Sequence, residues 1–175
     1  MNKLQLYIAS SLDGYIARQD GSLDWLYAVP NPDQLDYGYA DFLNGVDVIL
    51  MGRQSYEEIL GFGVDWPYPE HQTYIVTTQA DYKAKTPNTM VVNELNAEVL
   101  TSIQREKNVW LLGGGQLVGH CLNHELIDEM MICLIPTIIG GGIPLFPSGV
   151  KETGFDLVSS ENYPSGVLML TYKKK

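Results

Sequence analysis

Val109-Trp110-Leu111-Leu112-Gly113-Gly114-Gly115-Gln116-Leu117 runs from an apolar stretch through three glycines into a helical pattern. A short continuous apolar run ended by glycine fits a strand buried on both faces. The glycines let the backbone turn sharply and approach a bound group closely. The helix that follows, read as Gln116–Asn123, points its free N–H groups and the positive end of its dipole back at the turn. The same arrangement occurs upstream, where Val46–Met51, broken only by Asp47, meets Gly52 and a helix from Arg53. Arg53 adds a permanent charge with a bidentate fork, and Ser55 a hydroxyl.

Working outward, strand and helix signals alternate. Leu4–Ser10 reads as a first strand with Leu4, Leu6 and Ile8 on one face, and the turn pairs Asp13-Gly14 and Asp20-Gly21 follow. Asn31-Pro32 offers an N-cap with proline at the first helical position, which predicts a helix over Pro32–Asn44 carrying Leu35, Tyr39, Phe42 and Leu43 on one stripe. Tyr74–Thr78 and Met90–Val92 read as strands, and Leu95–Arg105 as an amphipathic helix. Ile127–Ile139 and Val167–Tyr172 are long enough to pair as antiparallel strands at the end. Repetition of strand and helix predicts an α/β fold with a mostly parallel sheet, in one domain spanning residues 1–175. Two phosphate-suited junctions about 60 residues apart on such a sheet fit an extended dinucleotide over the strand C-termini. Neither junction reads G-x-G-x-x-G or G-x-x-x-x-G-K-[ST], which disfavours an ordinary Rossmann site and a P-loop.

Charge and composition exclude other classes. The 175 residues carry a formal charge of −10 with 11 lysines and arginines, which argues against a nucleic-acid partner. No apolar run approaches the roughly 20 residues needed to span a bilayer, and the N-terminus lacks a signal-peptide pattern. Cys121 and Cys133 sit in apolar surroundings without metal-ligand spacing, so buried free thiols and a cytoplasmic setting are expected. His120 and His124 are i, i+4 on a helix, a zinc-compatible spacing, but no third ligand follows, so no metal site is assigned and both are read as helix-surface residues.

Four motifs now stand in order: Ala9-Ser-Ser-Leu-Asp-Gly-Tyr-Ile-Ala17, Met51-Gly-Arg-Gln-Ser-Tyr-Glu57, Ile75-Val-Thr-Thr78 and Leu112-Gly-Gly-Gly115. Their order and spacing resemble the dihydrofolate reductase superfamily. Leu126-Ile-Asp-Glu129, Pro136 and Gly140-Gly-Gly-Ile-Pro-Leu-Phe146 resemble its branch containing the reductase domain of bifunctional riboflavin-biosynthesis deaminase-reductases. The resemblance covers nearly the whole chain. It implies a dihydrofolate-reductase-like three-layer sandwich with an antiparallel C-terminal strand pair, and a homodimer.

For function, the resemblance implies an NADPH-dependent reductase passing hydride to a small pyrimidine- or pteridine-like heterocycle. Ala9 and Ile16 would present backbone groups to the nicotinamide carboxamide; Gly52, Arg53, Gln54 and Ser55 would hold phosphates. Thr77 and Thr78 would meet the adenosine ribose and its 2′-phosphate. Gly113-Gly114 matches the family's cis Gly–Gly bond, and Gly115, Gln116 and Leu117 would line the pyrophosphate. Gln116 stands where folate reductases that prefer NADPH carry a basic residue, which leaves NADH open as the cofactor.

Reduction of an imine also needs a proton on nitrogen. Folate reductases place a carboxylate on the first helix, and the matching spacing before Arg53 lands on Asp36, at the edge of the apolar stripe near Tyr39. Half-burial there would raise its pKa and suit a general acid. Asp36, Tyr39 and Trp25, the last matching a family tryptophan near the substrate mouth, are the expected substrate contacts. The nearest match to the folate-clamping arginine is His71, a poor carboxylate clamp. A second reading stays open: a non-catalytic nucleotide-binding or structural homologue that kept the fold without the chemistry.

Overall fold

The computed structural model describes residues 2–105 and 107–175. In chain order its elements are β1 (Leu4–Ser11), β2 (Tyr15–Ala17), α1 (Asp24–Tyr27), α2 (Tyr39–Asn44), β3 (Val48–Gly52), α3 (Arg53–Gly61), β4 (Gln72–Val76) and β5 (Thr89–Val92). Then come α4 (Ala97–Ile103), β6 (Val109–Gly113), α5 (Gly115–Asn123), β7 (Glu129–Ile135), β8 (Ile143–Pro144), β9 (Phe155–Asn162) and β10 (Leu168–Lys174). Eight strands form one sheet in the order β5-β4-β3-β6-β1-β7-β10-β9, and β2 with β8 makes a separate pair. From β5 to β7 every pairing is parallel; β10 then runs antiparallel to both β7 and β9. The expected mostly parallel sheet with antiparallel C-terminal strands is therefore present.

The period-2 alternation of strand side chains divides the interior into layers. Leu4 and Leu6 of β1, Val48 and Leu50 of β3, and Val109 and Leu111 of β6 pack with Leu100 and Ile103 of α4 and Leu117, Val118 and Cys121 of α5. The alternate residues Ile49, Met51, Ile75 and Trp110 face the other side, against Tyr56 of α3 and Tyr39, Phe42 and Leu43 of α2. A third cluster joins Trp25 of α1 to Cys133, Ile135 and Met169 of the C-terminal strands. Both cysteines are buried free thiols; burial pushes Cys121 up to about 12 and Cys133 up to about 11, so neither is a nucleophile at neutral pH.

Three expectations change. The helix over Pro32–Asn44 is confined to Tyr39–Asn44, because Gln34, Tyr37 and Gly38 take positive φ values of 51°, 55° and 83°, which no right-handed helix passes through. Instead of capping, the Asn31 amide folds onto Leu35, accepting from its N–H at 2.9 Å and donating to its carbonyl at 2.8 Å. The strand expected over Ile127–Ile139 is the shorter β7. The edge strand β9 has no counterpart in the sequence reading. All its residues but Phe155 are exposed, so it carries no inward–outward alternation to read.

Leu50 is fully buried between β3 and the α4–α5 layer. Leu50→Ala is expected to cost about 2–5 kcal/mol of stability through the cavity it leaves. Chemical denaturation would measure this, and an unchanged midpoint would contradict the packing.

Candidate functional site

Parallel pairing of β3 with β6, with Leu50 opposite Leu111 and Met51 opposite Gly113, brings the two strand-to-helix junctions side by side. At each, a glycine N-cap in extended conformation, Gly52 for α3 and Gly114 for α5, supplies no capping side chain. The first N–H groups of both helices thus lack an intrahelical or side-chain acceptor, and neither first turn carries an acid. By contrast α4 is capped, the Asn96 carboxamide oxygen accepting from Val99 N–H at 2.9 Å. The Gly113–Gly114 peptide is cis. Gly115 is constrained by packing: a Cβ there would stand 2.3 Å from the Pro144 carbonyl oxygen of β8.

Both junctions open into one cleft of about 930 Å³ at the C-terminal edge of the sheet. Ala9, Ile16, Gly52, Arg53, Gln54 and Ser55 line it, as do Thr77, Thr78, Gly114, Gly115, Gln116 and Leu117. Of the residues expected to meet a cofactor, Gly113 alone is absent from the wall. The cleft reaches from β5 to β1, four inter-strand steps of about 4.8 Å, or about 19 Å in all.

Its two ends differ. Near α2 and α3 the wall is aromatic: Tyr7, Tyr39, Tyr68 and Trp110, with ring centroids 5.9 Å apart for Tyr39 and Trp110 and 5.5 Å for Tyr68 and Trp110. Burial raises the Tyr7 and Tyr68 hydroxyls well above their ordinary pKa, so both stay protonated. Glu58 of α3 is the carboxylate at this end, and it lies against Gly21, where a Cβ would come within 2.4 Å of its Oε1. At the other end, beyond β4 and β5, the wall is Thr77, Thr78, Asn93, Glu94, Asn96, His120 and His124. The Thr77 hydroxyl already accepts from Gln79 N–H at 3.2 Å, while Thr78 is exposed. Arg53 donates to the Glu57 carboxylate at 2.5 Å and sits 6.0 Å from the Tyr82 ring, so an incoming phosphate would share it.

Two expected substrate contacts lie elsewhere. Trp25 is only 2% exposed, in the third core cluster and off the cleft wall; its Nε1 has no partner there. Asp36 is exposed and also absent from the wall. Its carboxylate accepts from Ala40 N–H and Gly38 N–H, both at 3.0 Å, and these bonds hold its pKa below the ordinary value. The half-buried carboxyl with raised pKa expected at this position is not found, because the chain folds into turns there and leaves Asp36 to cap α2. Tyr39 does line the cleft. His71 does not; its ring packs edge-on to Tyr68. Glu58, Tyr7, Tyr68, Trp110 and the histidine pair were not anticipated. His120 and His124 are four apart on the helix after the glycine turn, a spacing that could have signalled a shared face toward the same cleft.

Comparison with known proteins gives a consistent picture. A family model described as the RibD C-terminal domain matches residues 2–169. The Bacillus subtilis (strain 168) "Uncharacterized protein YwjB" is 35% identical over 167 residues, covering 94% of each chain. A crystal structure named "Putative riboflavin biosynthesis protein" from Shewanella sp. PV-4 superposes with a TM-score of 0.90 at 31% identity, over 99% of both chains. The deaminase/5-amino-6-(5-phosphoribosylamino)uracil reductase of Thermotoga maritima matches with a TM-score of 0.69 at 17% identity, over 99% of this chain and 57% of that one, a likeness of fold.

The Asp36 cap gives a test of its own. A group with depressed folded-state pKa stabilises above its unfolded value and loses that contribution as pH falls through the folded one. Carboxyl-resolved NMR titration is therefore expected to place Asp36 below the ordinary aspartate range, with α2 fraying as it protonates. A value above that range would restore it as a candidate acid.

Proposed function

The chain belongs to the RibD C-terminal domain family, and from that premise we propose that it is an NADPH-dependent reductase of a small pyrimidine- or pteridine-like heterocycle. The observation that carries this reading is the pair of uncapped helix N-termini opening side by side into one elongated cleft. Their orphan N–H groups suit a pyrophosphate, which needs several donors and no acid nearby. The donor set fits such a cofactor. The first turns of α3 and α5 would hold the pyrophosphate with Arg53 and Ser55, and Gln116 and Leu117 would contribute backbone N–H groups. Thr77 and Thr78 would meet the adenosine ribose, and Ala9 and Ile16 the nicotinamide carboxamide, with NADH the alternative cofactor.

When bound, the reduced nicotinamide supplies hydride to a C=N or C=O carbon. The remaining work falls to this chain. Tyr7 and Tyr39, partly exposed on the wall and backed by the buried Tyr68 and Trp110, would pack against a heterocycle and exclude water. No lysine is found on the wall among the described residues, and Arg53 is shared with Glu57, so the aromatic end suits recognition of a ring more than of a phosphorylated tail. Glu58 lines this end of the cleft, where Asp36 does not, and would deliver or relay a proton to the reduced nitrogen. A non-catalytic nucleotide-binding reading is favoured by one observation, the position of Asp36 outside the cleft.

Fluorescence titration is expected to show NADPH binding, weakened about tenfold (~1.4 kcal/mol) by Arg53→Ala. Absence of binding to both NADPH and NADH would remove the reductase reading. With a dihydropteridine and aminopyrimidine panel, Glu58→Gln is expected to lower kcat at least about tenfold while leaving NADPH affinity intact. Binding without turnover across the panel would favour the non-catalytic alternative. We also read the chain as a homodimer through its exposed apolar residues, such as Ile138, Leu157 and Val158, and sedimentation at micromolar protein would test this, a monomer setting it aside.

A further inference from the structure

We propose that the stacked His120–His124 pair is the phosphate-reading element of the adenosine end of the cleft, taking the 2′-phosphate that Gln116 leaves without a basic partner. This rests on the reading of the cleft as a dinucleotide site. His120 is five positions on from Gly115, about 7.5 Å along α5 at 1.5 Å per residue, so the pair lies beyond the pyrophosphate-suited turn and on the same wall. Arg53 is engaged with Glu57, and Glu58 and Glu94 are acidic, which leaves the histidines as the other basic groups on the wall among the described residues.

The rings are held for this purpose. His120 Nε2 donates to the Leu95 carbonyl at 2.6 Å, and His124 Nδ1 donates to the His120 carbonyl at 2.9 Å. Both bonds use a nitrogen that carries hydrogen whether the ring is neutral or charged, so protonation disturbs neither. It would instead turn His120 Nδ1 and His124 Nε2 from acceptors into donors. The ring centroids are 4.3 Å apart, so two positive charges would repel each other, and a dianionic phosphate placed against the pair would relieve that repulsion. The surrounding charges are Glu94 and Glu98 on the α4 side, and Glu125, paired with Lys151, and Lys174 beyond α5. A 2′-phosphate set against the pair would thereby favour rings that carry the extra proton, and would be held more tightly where they carry it.

The probes are 2′,5′-ADP and 5′-AMP, which differ only in the 2′-phosphate, titrated calorimetrically between pH 6.5 and 8.5. The window stays above the second pKa of a phosphate monoester, about 6. Wild-type protein is expected to bind 2′,5′-ADP more tightly, with the margin shrinking toward pH 8.5. His120→Gln and His124→Asn keep a donor to each carbonyl and should together cut the margin about tenfold (~1.4 kcal/mol) while sparing 5′-AMP. In wild-type protein at a single pH the histidine ring signals should shift more on adding 2′,5′-ADP than on adding 5′-AMP, a readout that needs no variant to fold. An unchanged margin in the double variant, or histidine signals that respond equally to both nucleotides, overturns the inference and leaves the dinucleotide reading standing. Failure of both nucleotides to bind wild-type protein overturns both.

Discussion

Parallel hydrogen bonding of β3 to β6 is the constraint on which the site depends. Because Leu50 and Leu111 are locked opposite one another, both strands end at the same level and the chain must leave the sheet there twice. Each leaves through glycine into a helix, so two sets of unsatisfied N–H groups converge where neither alone would make a site. Gly114 stands so close to Ser55 that a Cβ would lie 3.3 Å from its hydroxyl, which couples the position of one turn to the other. The β2–β8 pair reinforces this by setting the Pro144 carbonyl against the start of α5.

Electrostatics is unusual for a chain inferred to bind an anionic cofactor. The net charge of −10 opposes long-range attraction of a dinucleotide, so affinity has to come from short-range, directed donors. Backbone N–H groups at the helix starts, with one shared arginine, supply them without formal charge in excess. That economy would let the wall carry Glu58 and Glu94 beside a bound phosphate.

Much of the fold was legible because strand burial writes itself into sequence. Val46–Met51 and Val109–Leu112 are apolar throughout since both faces are covered, and Gly52 and Gly113–Gly115 punctuate them. The wall around the two junctions followed, since the cleft is built from them. The aromatic end did not. Asp36 was placed by spacing from Arg53 on the assumption of a continuous helix; the positive φ of Gln34 and Tyr37 left no compositional mark, and Gly38 was the single residue there that signalled a break. Tyr68 comes from a segment joined to the cleft only by tertiary packing, Glu58 is an exposed residue of α3, and β9 is exposed on both faces, so hydrophobic period said nothing about any of them.

The place of β1 in the sheet has a kinetic consequence. β1 is flanked by β6 and β7, with Leu4 opposite Val109 and Gln5 opposite Glu129, so its partners lie more than a hundred residues further along the chain. While the chain is emerging, Leu4, Leu6 and Ile8 have no strand partner, and the nascent protein must carry an apolar segment with both edges open. Closing loops of that length before any contact rewards them slows folding and exposes the chain to association with its own copies. Synthesis must pass β7 before the centre of the sheet can shut, which makes shielding of β1, by the ribosome or a chaperone, the step on which yield would turn.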